Sequence, residues 1–216
     1  MSAEIRRRIA RRALEELPAA GVVNLGVGIP TVIATLPEAC GRIFIHSENG
    51  ILGVGPRPPE DAVDPTLVDA GKRPITASPG AAYFDSALSF AMIRGGHIDV
   101  AVLGALQIDA RGRIANWAIP GQPILGVGGA MDLLCGARRV VVTMTHLSSA
   151  GEPKIVPELT LPIGSLRPVD VIVSDYGVLD VSGGVLVLRE LAPGITLERF
   201  TEATAALFKV GVSTNR

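Results

Sequence analysis

One carboxylate in this sequence, Glu48, lies where an apolar run meets a glycine turn, in the stretch IFIHSENGILG at residues 43–53. Residues 43–45 read as a short buried strand, and Glu48 follows with the hydrogen-bonding residues Ser47 and Asn49 on either side. Three roles are possible for a single carboxylate at this position: a solvated residue of an Asn-Gly turn, an acid that binds ribose, or a nucleophile. For an arbitrary sequence the solvated turn is the commonest of these. The stretch by itself leaves all three open.

Two glycine turns each precede a predicted helix. Gly26-Val27-Gly28 follows the apolar run 22–25 and comes before Pro30, which suits the first position of a helix. The second turn, residues 126–129, leads into AMDLLCGA. Backbone N–H groups at such positions can bind anions, and those of Gly128 and Gly129 would form an oxyanion site if an acyl carbon lay nearby. Glycines that only let the chain turn explain the first segment equally well, and for the second they are the preferred interpretation unless a nucleophile lies nearby.

A dinucleotide-binding fold is one interpretation of the first turn. Glu48 comes 22 residues after Gly26, at the end of the second predicted strand, which is where a ribose-binding acid belongs. The third glycine of that fingerprint is replaced by Thr31, Pro30 lies inside it, and Pro37 shortens the intervening helix. We therefore rank an NAD-binding module that uses Glu48 on ribose as the less favoured alternative.

The elements around these turns predict an α/β protein. Helices are expected after the cap residue Ser2, in DSALSFAMIRGG with Asp85 or Ser86 at its cap, after the second glycine turn, and in TLERFTEATAALF. Strands are expected at 22–25, GRIFIH, IDVAVLGALQID, RRVVVTMTH, VDVIVSD and the hairpin VLDVSGGVLVLREL, with residues 55–79 as loop. This order predicts a three-layer α/β/α sandwich with a mostly parallel, mixed sheet, built as one domain over residues 1–216.

Composition excludes several partners. Twenty basic and 21 acidic residues give a net charge of -1, and only 4% of residues are aromatic, so neither a basic nor a base-stacking nucleic-acid surface is expected. The uncharged run at residues 114–131 contains prolines and glycines and reads as loop, so no membrane span is expected. Hydrophobic residues make up 48% of the chain, which indicates buried strands or a surface that another subunit covers.

Metal binding and secretion are not expected either. Cys40 and Cys135 are isolated and read as core thiols of a reducing compartment, and the three histidines lack metal-ligand spacing. The Arg-rich first helix raises the possibility of a transit peptide, but Glu4, Glu15 and Glu16 argue against one. A cytoplasmic protein is the resulting prediction.

The motif HSENGILG resembles the active-site motif of the β subunits of family I CoA-transferases, the succinyl-CoA:3-ketoacid and 3-oxoadipate type. The resemblance extends over nearly the whole chain, since further segments match that subunit in order: NLGVGIPT, SFAMIRGGHIDVAVLGALQID, ANWAIPGQ, GVGGAMDLLCGARRVVVTMTH, LPI and VDVIVSD. Two positions depart from the family pattern, Ile45 in the strand before the motif and Thr145, where the family has Glu.

This resemblance implies a mechanism and a partner. Glu48 is the residue expected to attack an acyl-CoA, to pass through an acyl anhydride, and to hold CoA transiently as a thioester before transfer to an acid, with ping-pong kinetics. Gly128 and Gly129 are expected to bind the oxyanion, and no metal or redox cofactor is required. The residues expected along CoA are Gly26, Val27, Gly28, Ile29, Pro30 and Asn49. The resemblance also implies an α subunit, in a heterodimer or an α2β2 assembly; a CoA-ester hydrolase of the same fold is the other alternative.

Overall fold

A computed structural model describes residues 2–39, 41–122 and 126–211. Within these ranges the strands are β1 (Val22–Leu25), β2 (Phe44–Ser47), β3 (Ile51–Val54), β4 (Ala77–Tyr83), β5 (Val100–Gly104), β6 (Gln107–Asp109), β7 (Ile114–Ala115), β8 (Arg139–Met144), β9 (Ile155–Val156), β10 (Val171–Ser174), β11 (Gly177–Ser182), β12 (Val185–Leu191) and β13 (Phe208–Val210). The α-helices of the described residues are α1 (Ala3–Leu14), α2 (Pro30–Ile33), α3 (Ser86–Arg94), α4 (Ala130–Gly136) and α5 (Leu197–Ala203).

Ten strands form one sheet in the order β13-β12-β11-β10-β8-β5-β1-β2-β3-β4, and β7-β6-β9 form a small second sheet. The five central strands, from β10 to β2, are parallel to one another. Antiparallel strands extend the sheet on both sides, β11 and β12 next to β10, and β3 and β4 next to β2. The carboxyl ends of the central strands therefore lie along one edge, which we call the carboxyl edge, and ligands of open α/β sheets bind outside such an edge.

Apolar cores lie on both faces of the sheet. Residues of α1 and α2 such as Ile9 and Ile33 pack on one face together with Val102 of β5. Ile93 of α3 and Leu133 of α4 belong to the other core, on the opposite face. Helices on both faces of a mixed sheet confirm the predicted α/β/α arrangement.

Helix starts follow the predicted caps. Ser2 Oγ accepts the N–H of Ile5 at 3.2 Å at the start of α1, and Asp85 Oδ1 accepts the N–H of Leu88 at 2.8 Å at the start of α3. Pro30 is the first residue of α2, as expected. Among the described residues no helix is long and apolar enough to pass through a lipid bilayer.

Several sequence expectations were wrong in detail. The segment IDVAVLGALQID is two strands, because after Gly104 the chain leaves the large sheet and Gln107–Asp109 pairs instead with β7 and β9. Part of the expected loop 55–79 belongs to β4, and β13 follows the last helix. Cys135 is exposed, since α4 turns Leu133 and Leu134 inward instead, while Cys40 lies outside the described residues.

Candidate active site

Glu48 is the first residue after β2, at the carboxyl edge, and its side chain is half-buried. The turn that carries it closes with Gly50, whose φ of 123° lies in the left-handed region that favours glycine. A Cβ at position 50 would collide with the carbonyl oxygen of Phe84. This glycine is required for the turn to pass so close to the end of β4, and the turn fixes where Glu48 leaves the sheet.

One oxygen of the Glu48 carboxylate is held by Asn24 on the neighbouring strand. Asn24 lies directly opposite His46 in the parallel register of β1 and β2, and Glu48 follows His46 by two residues. Residues two apart point to the same face of a strand, which brings the three side chains together. The Asn24 Nδ2 group donates to Glu48 Oε2 at 3.1 Å and to His46 Nδ1 at 3.1 Å. Asn24 is fully buried, and its Oδ1 has no partner among the described residues.

The neutral imidazole of His46 accepts a hydrogen bond from the Asn24 amide and so helps to orient it. Because Asn24 donates to Nδ1, the ring proton of His46 lies on Nε2, which donates to Ser89 Oγ of α3 at 3.0 Å. Both His46 and Ser89 are buried, and Phe84 stacks on the imidazole with a centroid distance of 6.0 Å. Burial lowers the pKa of His46 from 6.5 to about 4, so the ring stays an acceptor for Asn24 at neutral pH.

We expect acid to destabilise the fold through this ring and through His146, whose pKa burial also lowers to about 4. The unfolded chain binds these protons below pH 6.5 while the folded chain excludes them, so stability is complete above pH 6.5 and falls as the pH drops toward 4. Each ring should cost about 2 kcal/mol of unfolding free energy between pH 7 and pH 5. Urea unfolding over this range measures the slope. The exposed His97, changed to Gln, is the matched control; a slope that survives in His46→Gln and His146→Gln would contradict the assignment.

The second glycine turn meets Glu48 from the other side. Gly129 immediately precedes α4, and a Cβ built on it would lie 3.1 Å from Glu48 Cγ and 3.3 Å from Oε1. Its φ of -80° is ordinary, so the close approach to the carboxylate, and not the backbone, favours glycine here. In the described part of the chain the N–H groups of Gly128 and Gly129 have no hydrogen-bond acceptor. The structure thus brings this predicted turn to the candidate nucleophile.

The first glycine turn lies at the end of β1, the strand next to β2. Gly26 continues the ladder by donating its N–H to the Val102 carbonyl at 2.8 Å, and Gly28 has a φ of 100°. Val27 is exposed, whereas Ile29 and Pro30, at the start of α2, are buried. Of the five residues expected along CoA in this segment, only Gly26, Val27 and Gly28 therefore face outward or form the turn itself.

Asn49 and Ser47, which flank Glu48, both bond to the chain segment 67–75. Asn49 Nδ2 donates to the Val68 carbonyl at 2.8 Å, and Ser47 Oγ accepts the N–H of Ala70 at 2.9 Å. Asn49 was expected to contact CoA, and that expectation stays a prediction. What the structure adds is that its amide already has a partner within the chain.

His146 and Trp117 make their hydrogen bonds to other parts of the structure. His146 is buried after β8 between Ser174 and Thr204, with both ring nitrogens hydrogen-bonded, so it links β8, β10 and α5. Trp117 donates its Nε1–H to the Ile163 carbonyl at 3.1 Å. Within the described ranges no group of three or more His, Cys, Asp or Glu side chains could hold a metal ion.

Sequence reasoning missed Asn24 and Ser89 as parts of the site, and it assigned no role to His46 of the motif HSENGILG. A signal was present, because VVNL and IFIH each carry one polar residue in an otherwise apolar strand, and a buried polar side chain needs a partner. The parallel register that places Asn24 beside His46 depends on long-range pairing, which a single sequence does not reveal.

Known proteins match this chain over nearly its full length. Residues 6–203 match the family model described as coenzyme A transferase. The chain is 46% identical to one subunit of a probable succinyl-CoA:3-ketoacid coenzyme A transferase of Bacillus subtilis, with 97% of each covered. It is 44% identical to the beta chain of the acetate CoA-transferase of Escherichia coli K12, covering 98% of this chain and 97% of that one.

A solved structure supports the fold. The acyl-CoA transferase apoenzyme from Escherichia coli O157:H7 superimposes with a TM-score of 0.79 at 21% identity, over 98% of this chain. This chain spans 43% of that longer protein. At 21% identity this structure supports only the fold. Membership of a family is shown by the family model and by the relatives that are more than 40% identical. The chain belongs to the coenzyme A transferase family.

Proposed function

We propose that this chain is the nucleophile-bearing subunit of an enzyme that moves CoA from succinyl-CoA to a 3-oxo acid through a thioester on Glu48. The observation that carries the proposal is the setting of Glu48 at the carboxyl edge. Asn24 holds Oε2, while Oε1 lies beside Gly129. The acids in the names of the relatives, 3-ketoacid and acetate, support the substrate class.

In the first half-reaction the carboxylate of Glu48 attacks the thioester carbonyl of the donor. The carbon–sulfur bond breaks, CoA leaves as the thiolate, and a mixed anhydride joins the donor acyl group to Glu48. The thiolate then attacks the glutamyl carbonyl, and the donor acid leaves as a free carboxylate. A carboxylate nucleophile suits this sequence because it keeps the acyl activation, first as an anhydride and then as a thioester.

In the second half-reaction the acceptor acid reverses these steps. Its carboxylate attacks the Glu48 thioester and releases the thiolate. The thiolate then takes the acceptor acyl group from the anhydride and restores the free carboxylate of Glu48. CoA is thus a co-substrate, and the proposed chemistry requires no metal or redox cofactor.

Each tetrahedral intermediate carries an oxyanion, for which the chain offers two kinds of donor. The N–H groups of Gly128 and Gly129 have no acceptor among the described residues, and Gly129 packs on the Glu48 carboxylate. Asn24 Nδ2, which bonds Oε2 in the resting carboxylate, would remain on that oxygen when the glutamyl carbonyl is attacked. Preoriented donors of this kind stabilise developing negative charge.

The proposal includes an α subunit, in a heterodimer or an α2β2 assembly, that covers the site. Three apolar side chains are exposed in the elements whose residues contribute to the site or flank it. They are Val27 in the first glycine turn, Leu88 in the first turn of α3 and Met131 in the first turn of α4. An anhydride or thioester open to water would hydrolyse, so a partner over this rim would protect both intermediates. We place the assembled enzyme in the cytoplasm, as the sequence predicts.

The test is to assemble the chain with its α partner and to measure transfer from succinyl-CoA to acetoacetate, 3-oxoadipate and acetate. We expect acyl-CoA product with parallel lines in double-reciprocal plots, the pattern of a ping-pong reaction. Hydrolysis without transfer to any acid would favour the CoA-ester hydrolase instead. Saturable binding of NAD would favour the dinucleotide-binding alternative.

A further inference from the structure

A β-hairpin outside the central sheet, residues 67–75, is attached to both neighbours of Glu48. Ser47 Oγ accepts the N–H of Ala70 at 2.9 Å, and Asn49 Nδ2 donates to the carbonyl of Val68 at 2.8 Å. Ser47 is buried at 6% exposure, so its hydroxyl is committed to this contact. We call residues 67–75 the brace hairpin.

The brace hairpin is stiff in itself. Val68 and Pro74 form an antiparallel bridge, and the Asp69 N–H donates to the Arg73 carbonyl at 2.9 Å. The Asp69 carboxylate pairs with the Arg73 guanidinium at 2.6 Å across the tip. Lys72 completes the turn with a φ of 61°, the one left-handed non-glycine residue in the described part of the chain. Such a conformation persists where the surrounding contacts hold it.

The tip of the brace hairpin reaches the first glycine turn. A Cβ on Gly71 would lie 3.3 Å from Val27 Cγ2, so the two segments are in contact. The hairpin therefore spans the carboxyl edge from the turn after β2 to the turn after β1. An open groove of about 420 Å³ lies between the hairpin, the start of β3 and the end of β4, and Asn49, Leu67, Val68 and Tyr83 are among the residues that line it. Next to this groove, the hydrogen bonds to Ser47 and Asn49 connect the hairpin to the turn that carries Glu48, which we call the catalytic turn.

We infer that Ser47 and Asn49 are positioning residues. Through their hydrogen bonds the brace hairpin prevents displacement of Glu48 when the thioester of acyl-CoA binds next to it. The inference rests on the proposed function. Glu48 lies on a short turn that ends in a left-handed glycine, and its side chain is fixed laterally by Asn24 and Gly129. The brace hairpin adds what these contacts lack, since it holds the side chains of the residues on both sides of Glu48. Binding energy from remote parts of CoA accelerates the reaction only if the carboxylate of Glu48 keeps its position against the thioester carbonyl.

The test uses the assembled enzyme with Ser47→Ala, Asn49→Ala and the double variant. We expect kcat to fall about fivefold for each lost hydrogen bond, and further in the double variant, while KM for acyl-CoA and for the acid stays within about twofold in Ser47→Ala. Asn49→Gln keeps a primary amide within reach of Val68 and should recover most of kcat. Arg73→Gln, which loosens the hairpin without touching the catalytic turn, should lower kcat in the same direction.

Two further measurements separate positioning from general destabilisation. Hydrogen exchange of the amide of Ala70 should quicken in Ser47→Ala, because that N–H loses its acceptor. Thr196→Ala removes a hydroxyl that accepts a backbone N–H at 3.2 Å at the start of α5, and it should leave kcat unchanged. Wild-type kcat in the double variant would overturn the inference, and so would a rise in KM without a fall in kcat. Absence of transfer in the wild-type enzyme would instead overturn the proposed function.

Discussion

Replacing Glu48 by Gln should lower CoA transfer by about 10⁴-fold or more, because the neutral amide cannot attack the thioester or store the acyl group as an anhydride. Fold and binding should survive the change. The glutamine carbonyl oxygen can still accept from Asn24 Nδ2, which now donates to Glu48 Oε2 at 3.1 Å. Steady-state rates with the α partner present measure the loss, and KM for acyl-CoA shows whether binding is retained.

The control for this change is Glu198→Gln in the first turn of α5, which removes the same charge from an exposed carboxylate. It should leave the rate near that of the wild type. A Glu48→Gln enzyme that keeps more than a few per cent of wild-type transfer would mean that another group carries the acyl chemistry.

Gly129→Ala should lower kcat by about 10²-fold with little loss of stability. The added methyl group would lie 3.1 Å from Glu48 Cγ, so the carboxylate must move by a few tenths of an ångström, which disturbs the geometry of its bond to Asn24. The backbone accepts alanine, since φ is -80° and ψ is 1°. Turnover and urea unfolding, measured on the same preparation, separate displacement of the nucleophile from damage to the fold.

A comparison variant is Gly96→Ala, at the end of α3. Its φ of 72° is left-handed, so alanine should cost about 1 kcal/mol of stability, yet no atom near Glu48 is disturbed. Gly129→Ala and Gly96→Ala should therefore show opposite patterns of activity and stability. Equal losses of stability with unchanged turnover in both would contradict the close packing of Gly129 on Glu48.

Local signals predicted much of the fold. The caps Ser2 and Asp85, the position of Pro30 and the hairpin of β11 and β12 follow from residue types within a few positions of each other. The break after Gly104 was not predictable in this way, because VLGALQID is apolar on both sides of it. Which sheet each half joins depends on β1, β8 and β9, which are distant in sequence.

In the candidate site, too, local features were predictable from the sequence and long-range contacts were not. Residue chemistry alone ranked Glu48 as a turn residue, and only the resemblance of the whole chain made it the expected nucleophile. Gly129 was predicted, yet its contact with Glu48 joins residues 81 positions apart that no local pattern connects. Asn24 and the brace hairpin were missed for related reasons. One is a single amide in an apolar strand, and the other lies in a segment whose prolines and glycines predict loop.

The most direct test of the central claim is to look for the covalent intermediate. The chain, assembled with its α partner, is incubated with succinyl-CoA in the absence of an acceptor acid, and its peptides are weighed by mass spectrometry. The proposed mechanism predicts CoA in thioester linkage on the peptide that contains Glu48, released by an acceptor acid and absent from Glu48→Gln. An enzyme that transfers CoA at full rate without this adduct, or that carries CoA on another residue, would contradict it.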